Sequence, residues 1–106
     1  MNNGFLLSLG LCRKAGALLR GREETINAVK VKETDTVFIS SDISERSKKE
    51  VMNSVEENTK IISLNYTKEQ LGYAAGVKPM AIFSVKNVGL KEMLLSKLDK
   101  NEEADI

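Results

Sequence analysis

Four cations, Arg13, Lys14, Arg20 and Arg22, crowd around Gly16 and Gly21 in the stretch from Gly10 to Lys30. Glu23 and Glu24 follow at once, where a helix beginning after Gly21 would have its first turn. Helix N-termini carry partial positive charge and unpaired N–H groups, so acidic residues are favoured there. Backbone N–H groups, dipole and arginines would converge on one small surface, which is a recipe for holding a phosphate backbone. The plainer alternatives are an ordinary solvated face for the cations and simple dipole complementation for the two Glu. An acid–base pair is the least economical use of Glu23 and Glu24.

Other chemistry is narrowed by composition. The chain has no histidine and a single cysteine, so an intramolecular disulfide is excluded and neither a zinc site nor Ser-His or Cys-His catalysis is expected. Cys12 falls on the apolar face of a helix and reads as a small buried hydrophobe. Ser40, Ser41 and Asp42 lie between a strand and a helix, the setting of a small-anion site, with helix capping as the simpler use.

The elements that must position these residues follow from periodicity. Phe5, Leu9 and Cys12 stand at i, i+4 and i+7 and predict a first helix ending near Ala15. Ala17 to Arg20 suffices for a short strand, and Ile26 and Val29 give a second helix its inward face up to about Lys30. Thr36 to Ser40 is a strand covered on both faces. The helix after Ser44 turns Val51, Met52 and Val55 inward. Lys60 to Leu64 is the next strand, and Thr67 to Gln70 has the capping-box pattern of a short helix. Pro79, lacking an N–H, should lead into a last strand over Met80 to Val85. Asn87 caps a closing helix with Leu90, Leu94 and Leu98 on one side.

Strands alternating with helices in this order predict an α/β fold, a three-layer α/β/α sandwich. With 106 residues, 42% of them hydrophobic, the chain suits one domain over residues 1–98, and residues 99–106 read as an acidic, frayed tail. Net charge is only +1, but residues 1–32 hold six Lys and Arg against two Glu, so the front end is basic. There is no signal-peptide pattern and no apolar run of the ~20 residues that cross a bilayer. A cytoplasmic protein with no membrane partner is expected.

Leu9 to Gly16, Gly21 to Val29, Val37 to Asp42 and Leu71 to Gly76 occur in the order and spacing of the kink-turn-binding ribosomal protein superfamily. The chain resembles its small bacterial YlxQ-type members over residues from about 5 to 95. That resemblance implies a four-stranded sheet between helices and a non-catalytic protein, without cofactor or metal, that binds as a monomer to structured RNA. The RNA would be ribosomal or another kink-turn RNA, a duplex bent at a bulge beside tandem sheared G·A pairs, with the ribosome as a possible assembly. In the family the start of the second helix reads the G·A pairs, and a loop before the last strand packs on the extruded nucleotide. Carried over, the first surface is Gly21, Arg22, Glu23, Glu24 and Asn27, with Arg13, Lys14 and Arg20 beside it; the second runs from Gly76 through Val77, Lys78 and Pro79 to Met80. Bulges are where RNA exposes its bases to such contacts.

Two positions depart from the family pattern. Glu23 stands where Asn is usual, and Asn27 where Lys or Arg is usual. A carboxylate cannot donate to guanine O6 and repels phosphate, and Asn27 brings no charge. Both count against tight kink-turn binding while leaving RNA binding as the class. Val77 and Met80 have core packing as their alternative. The competing function is a protein-interaction or small phosphate-ligand domain that kept the fold and lost the RNA surface.

Overall fold

The computed structural model describes residues 4–98 and the backbone of residues 103 and 104. Helices α1 (Gly4–Lys14), α2 (Arg22–Lys30), α3 (Glu45–Ser54), α4 (Lys68–Ala75) and α5 (Val88–Ser96) alternate with strands β1 (Leu18–Arg20), β2 (Thr36–Ile39), β3 (Lys60–Leu64) and β4 (Ile82–Val85). These four strands form a mixed sheet in the order β1-β4-β2-β3. The β2–β3 pair is parallel, while β4 runs antiparallel to both β1 and β2. A two-residue β5 (Glu103–Ala104) adds antiparallel to the free edge of β3, where the sequence predicts only a frayed end; the rest of that tail lies outside the described residues.

Two apolar clusters make the three layers. Phe5, Leu9 and Cys12 of α1, Leu71 of α4 and Leu94 of α5 close over one face of the sheet with Phe38, Leu64 and Phe83. Val29 of α2 and Val51 of α3 close over the other with Val37, Ile39 and Ile82. Phe38 and Phe83 face each other across β2 and β4 with ring centroids 4.9 Å apart, nearly parallel, so the central strands are locked by side chains as well as by backbone bonds.

Side-chain caps fix three of the helix starts. Ser44 accepts from the N–H of Ser47, Asn87 from that of Leu90, and Thr67 and Gln70 form the full capping box. The last strand begins at Ile82, not Met80, because Pro79, Met80 and Ala81 still belong to the loop that brings the chain back from α4. Met52, expected inward, is exposed at the outer side of α3, so Val51 alone anchors that helix in the core with Val55 packed beside it. In α2 the inward positions are Thr25, Ala28 and Val29, with Ile26 half-buried at the margin. Among the described residues no helix is long and apolar enough to cross a membrane.

Candidate nucleic-acid interface

Strand β1 delivers the chain to Gly21, whose φ of 87° and ψ of 168° only glycine adopts readily. This backbone turn starts α2, whose N-terminus carries no side-chain cap, unlike those of α3, α4 and α5. The first-turn N–H groups of α2 therefore face outward with the positive end of the dipole. Glu23, Glu24 and Asn27 are exposed on this turn and the next, and Arg20 is exposed at the end of β1.

The second stretch reaches the same place. Gly76 ends α4 in the left-handed conformation, φ 75°, and its N–H bonds back to the Tyr73 carbonyl. The loop then crosses α4 so closely that a Cβ at Gly72 would stand 2.7 Å from the Lys78 carbonyl carbon and 2.8 Å from Pro79 Cα. Glycine at position 72 is what lets the loop lie there. Beyond it the Ile82 carbonyl accepts from the Gly21 N–H at 2.9 Å, tying the end of the loop to the start of α2. Arg20 and Gly21 line one hollow with Arg22, Glu23 and Glu24, and an adjoining one with Lys78, Pro79 and Met80. Residues far apart in the chain thus share one continuous surface.

Not every expected residue takes its expected place. Met80 is 5% exposed and packs with the main apolar cluster, so it meets the hollow only at its edge and its primary role is in the core. Val77 is half-buried against the same cluster, while Lys78 and Pro79 are exposed. Arg13 and Lys14 end α1 and line a separate hollow beside α4, with Arg13 lying against Gly76. Arg22 is held by Glu50 of α3, Nη1 to Oε2 at 2.6 Å, and the other Glu50 oxygen is 3.8 Å from Arg46. Glu50 was not legible as a partner, since nothing in a sequence pairs residues on two helices separated by a strand.

The Ser40–Asp42 turn resolves as capping. The Asp42 carboxylate accepts the Lys68 N–H at 2.9 Å and so occupies the N-terminus of α4 itself; that bond, first among several causes, holds its pKa below the ordinary carboxylate value. Cys12 is buried, which pushes its thiol pKa up and makes it a poor nucleophile. No group of acidic, Cys or His residues among those described is arranged to hold a metal.

Residues 7–95 match the Ribosomal protein L7Ae/L30e/S12e/Gadd45 family. The chain belongs to that family. A solved structure of a protein with unknown function from Bacillus halodurans is 26% identical, superimposes with a TM-score of 0.80 and aligns over 91% of this chain and 97% of its own. A Giardia lamblia 15.5 kD RNA-binding protein is 20% identical with a TM-score of 0.67, over 87% of this chain and 79% of its own, and shares the fold. No curated protein matches the chain.

Proposed function

We propose that this L7Ae-family chain is a non-catalytic RNA-binding module that grips structured, kink-turn-like RNA between the start of α2 and the Lys78–Pro79 end of the α4–β4 loop. The observation that carries the reading is the uncapped N-terminus of α2, flanked by Arg20 and Arg22 and bonded through Gly21 to the strand that follows the loop. Phosphates meet oriented N–H groups and guanidinium charge there, while the exposed Pro79 and the half-buried Val77 offer apolar surface to an unstacked base. Membership of the family and the fold shared with the Giardia RNA-binding protein support the same reading. Ribosomal RNA in the cytoplasm is the first candidate target. Glu23 and Asn27 make the preference for a kink-turn over other bent duplexes weaker than the family pattern implies.

The test is a titration of the protein against a kink-turn RNA and a matched straight duplex at several salt concentrations. Binding should weaken steeply with salt, and Arg20→Ala with Arg22→Ala should flatten the slope by about two phosphate contacts' worth while moving folding stability by less than about 0.5 kcal/mol. An unchanged slope would reduce the basic front to a solvated face and favour a protein-interaction role.

A further inference from the structure

The outer side of α1 is apolar where an amphipathic helix should be polar. Phe5, Leu9 and Cys12 already supply the stripe that faces the sheet, yet Leu7 and Leu11 stand one turn apart on the outer side, 69% and 55% exposed. Across from them Tyr73 of α4 is 89% exposed. These are three of the six large apolar side chains that stand exposed in the described structure, and they line a single hollow of about 730 Å³ between α1 and α4. Its floor is firm, because Gly10 lets α1 approach α4 closely: a Cβ there would sit 3.2 Å from the Ala74 carbonyl oxygen. Packing within the chain gives Leu7 and Leu11 no work, and clustered apolar surface of this kind marks an interaction site.

The rim says what kind. Arg13 and Lys14 stand at one end of the hollow, both exposed, with no ion pair among the described residues, and no carboxylate lines it. We infer that the α1–α4 groove docks an acidic amphipathic segment of a protein partner: its apolar side chains cover Leu7, Leu11 and Tyr73, and its carboxylates meet Arg13 and Lys14. Charge complementarity at the rim and apolar contact at the centre are the usual division of labour in such interfaces. Nucleic acid is the weaker fit, since the floor is aliphatic and presents one aromatic ring, whereas bases are held mainly by stacking on rings and guanidinium planes. The groove shares no lining residue with the hollows at Arg20 and Gly21, so the partner and the RNA would use different side chains, and the partner would bring an enzyme or assembly factor to bound RNA.

A display library of peptides, randomised among Leu, Phe, Ala, Asp, Glu, Lys and Arg, is selected against the intact protein and the enriched sequences are read. Spaced apolar residues flanked by Asp and Glu should be enriched. The winning peptide should lose roughly tenfold or more in affinity on Leu7→Glu with Leu11→Glu. Arg13→Glu with Lys14→Glu should reverse the preference toward Lys- and Arg-bearing peptides; should that variant fail to fold, Gln at both positions should abolish the acidic preference without reversing it. Kink-turn titrations of the Leu7/Leu11 variant should match the wild type, which separates this surface from the RNA reading. The proposal is overturned if enrichment ignores charge, if no peptide depends on Leu7 and Leu11, if single-stranded RNA cross-links at Tyr73 in place of peptide, or if sedimentation shows the groove filled by a second copy of the chain.

Discussion

Glu23 and Asn27 stand one turn apart on the exposed side of α2, so their departures from the family pattern act on the same patch. Replacing them together, Glu23→Asn with Asn27→Lys, returns donors to the guanine edge and one cation near phosphate. A good base-edge contact discriminates by about 1–3 kcal/mol, and the pair should gain roughly ten- to a hundredfold for a kink-turn over a matched straight duplex. Loss of a first-turn carboxylate should cost only a few tenths of a kcal/mol in stability. Equal gains on both RNAs, measured at one salt concentration, would mean that charge alone had changed. Glu50 holds the other adjustable contact. Its bond to Arg22 joins side chains that are 40% and 45% exposed, so it contributes little to folding, yet it occupies the guanidinium that a phosphate would use. Phosphate must displace Glu50 to use that guanidinium, so Glu50→Gln should raise RNA affinity several-fold at an unchanged number of phosphate contacts, with stability unchanged within about 0.5 kcal/mol. A variant that binds no better would show that Arg22 is aimed at protein and not at RNA.

At the scale of elements, the face depends on how the α4–β4 loop is carried. Alanine in place of Gly72 gains up to about 1 kcal/mol in helix propensity, but its Cβ meets main-chain atoms of Lys78 and Pro79 that cannot rotate away. Overpacking should win, at a cost of about 1–3 kcal/mol, and the displaced loop should weaken RNA binding beyond that loss. Thermal melts and titrations of Gly72→Ala check both, and a variant more stable than wild type with intact binding would place the loop elsewhere. The start of α4 carries a pH signature. Because the folded pKa of Asp42 is depressed, its contribution is present above the unfolded carboxylate value near 4 and is lost as pH falls through the folded value. Asp42→Ala should melt below wild type at neutral pH, by about 1 kcal/mol or less, and the gap should close as the pH drops below about 4. A gap that stays constant into acid would assign the effect to packing.

For the molecule as a whole, what could be read in advance was what local chemistry decides. Strand β3 from Lys60 to Leu64, the end of α2 at Lys30, the Asn87 cap and the Thr67–Gln70 box all follow from residues within a turn or two of one another. What escaped was settled at a distance: which of its two open readings Met80 would take, Met52 left outside because Val51 and Val55 fill the space under α3, Arg22 claimed by Glu50, and the Asp42 cap serving not the next helix but one that begins 26 positions later. The two stretches of the proposed face could each be picked out in the sequence, but their meeting could not, since it depends on strand order. That order has a temporal meaning. In β1-β4-β2-β3 the earliest strand touches no other until the fourth one slides between it and β2, and the acceptor for the Gly21 N–H is carried by that same late arrival. During synthesis, β2, β3 and α3 can settle while β1 waits unpaired. A nascent chain arrested with Ile82 to Val85 still inside the exit tunnel should show no RNA affinity above its bare charge, and release of a few further residues should switch binding on abruptly. Capture of a labelled kink-turn by chains stalled at successive lengths would reveal that step, and a gradual rise would show that the face assembles without its wedge.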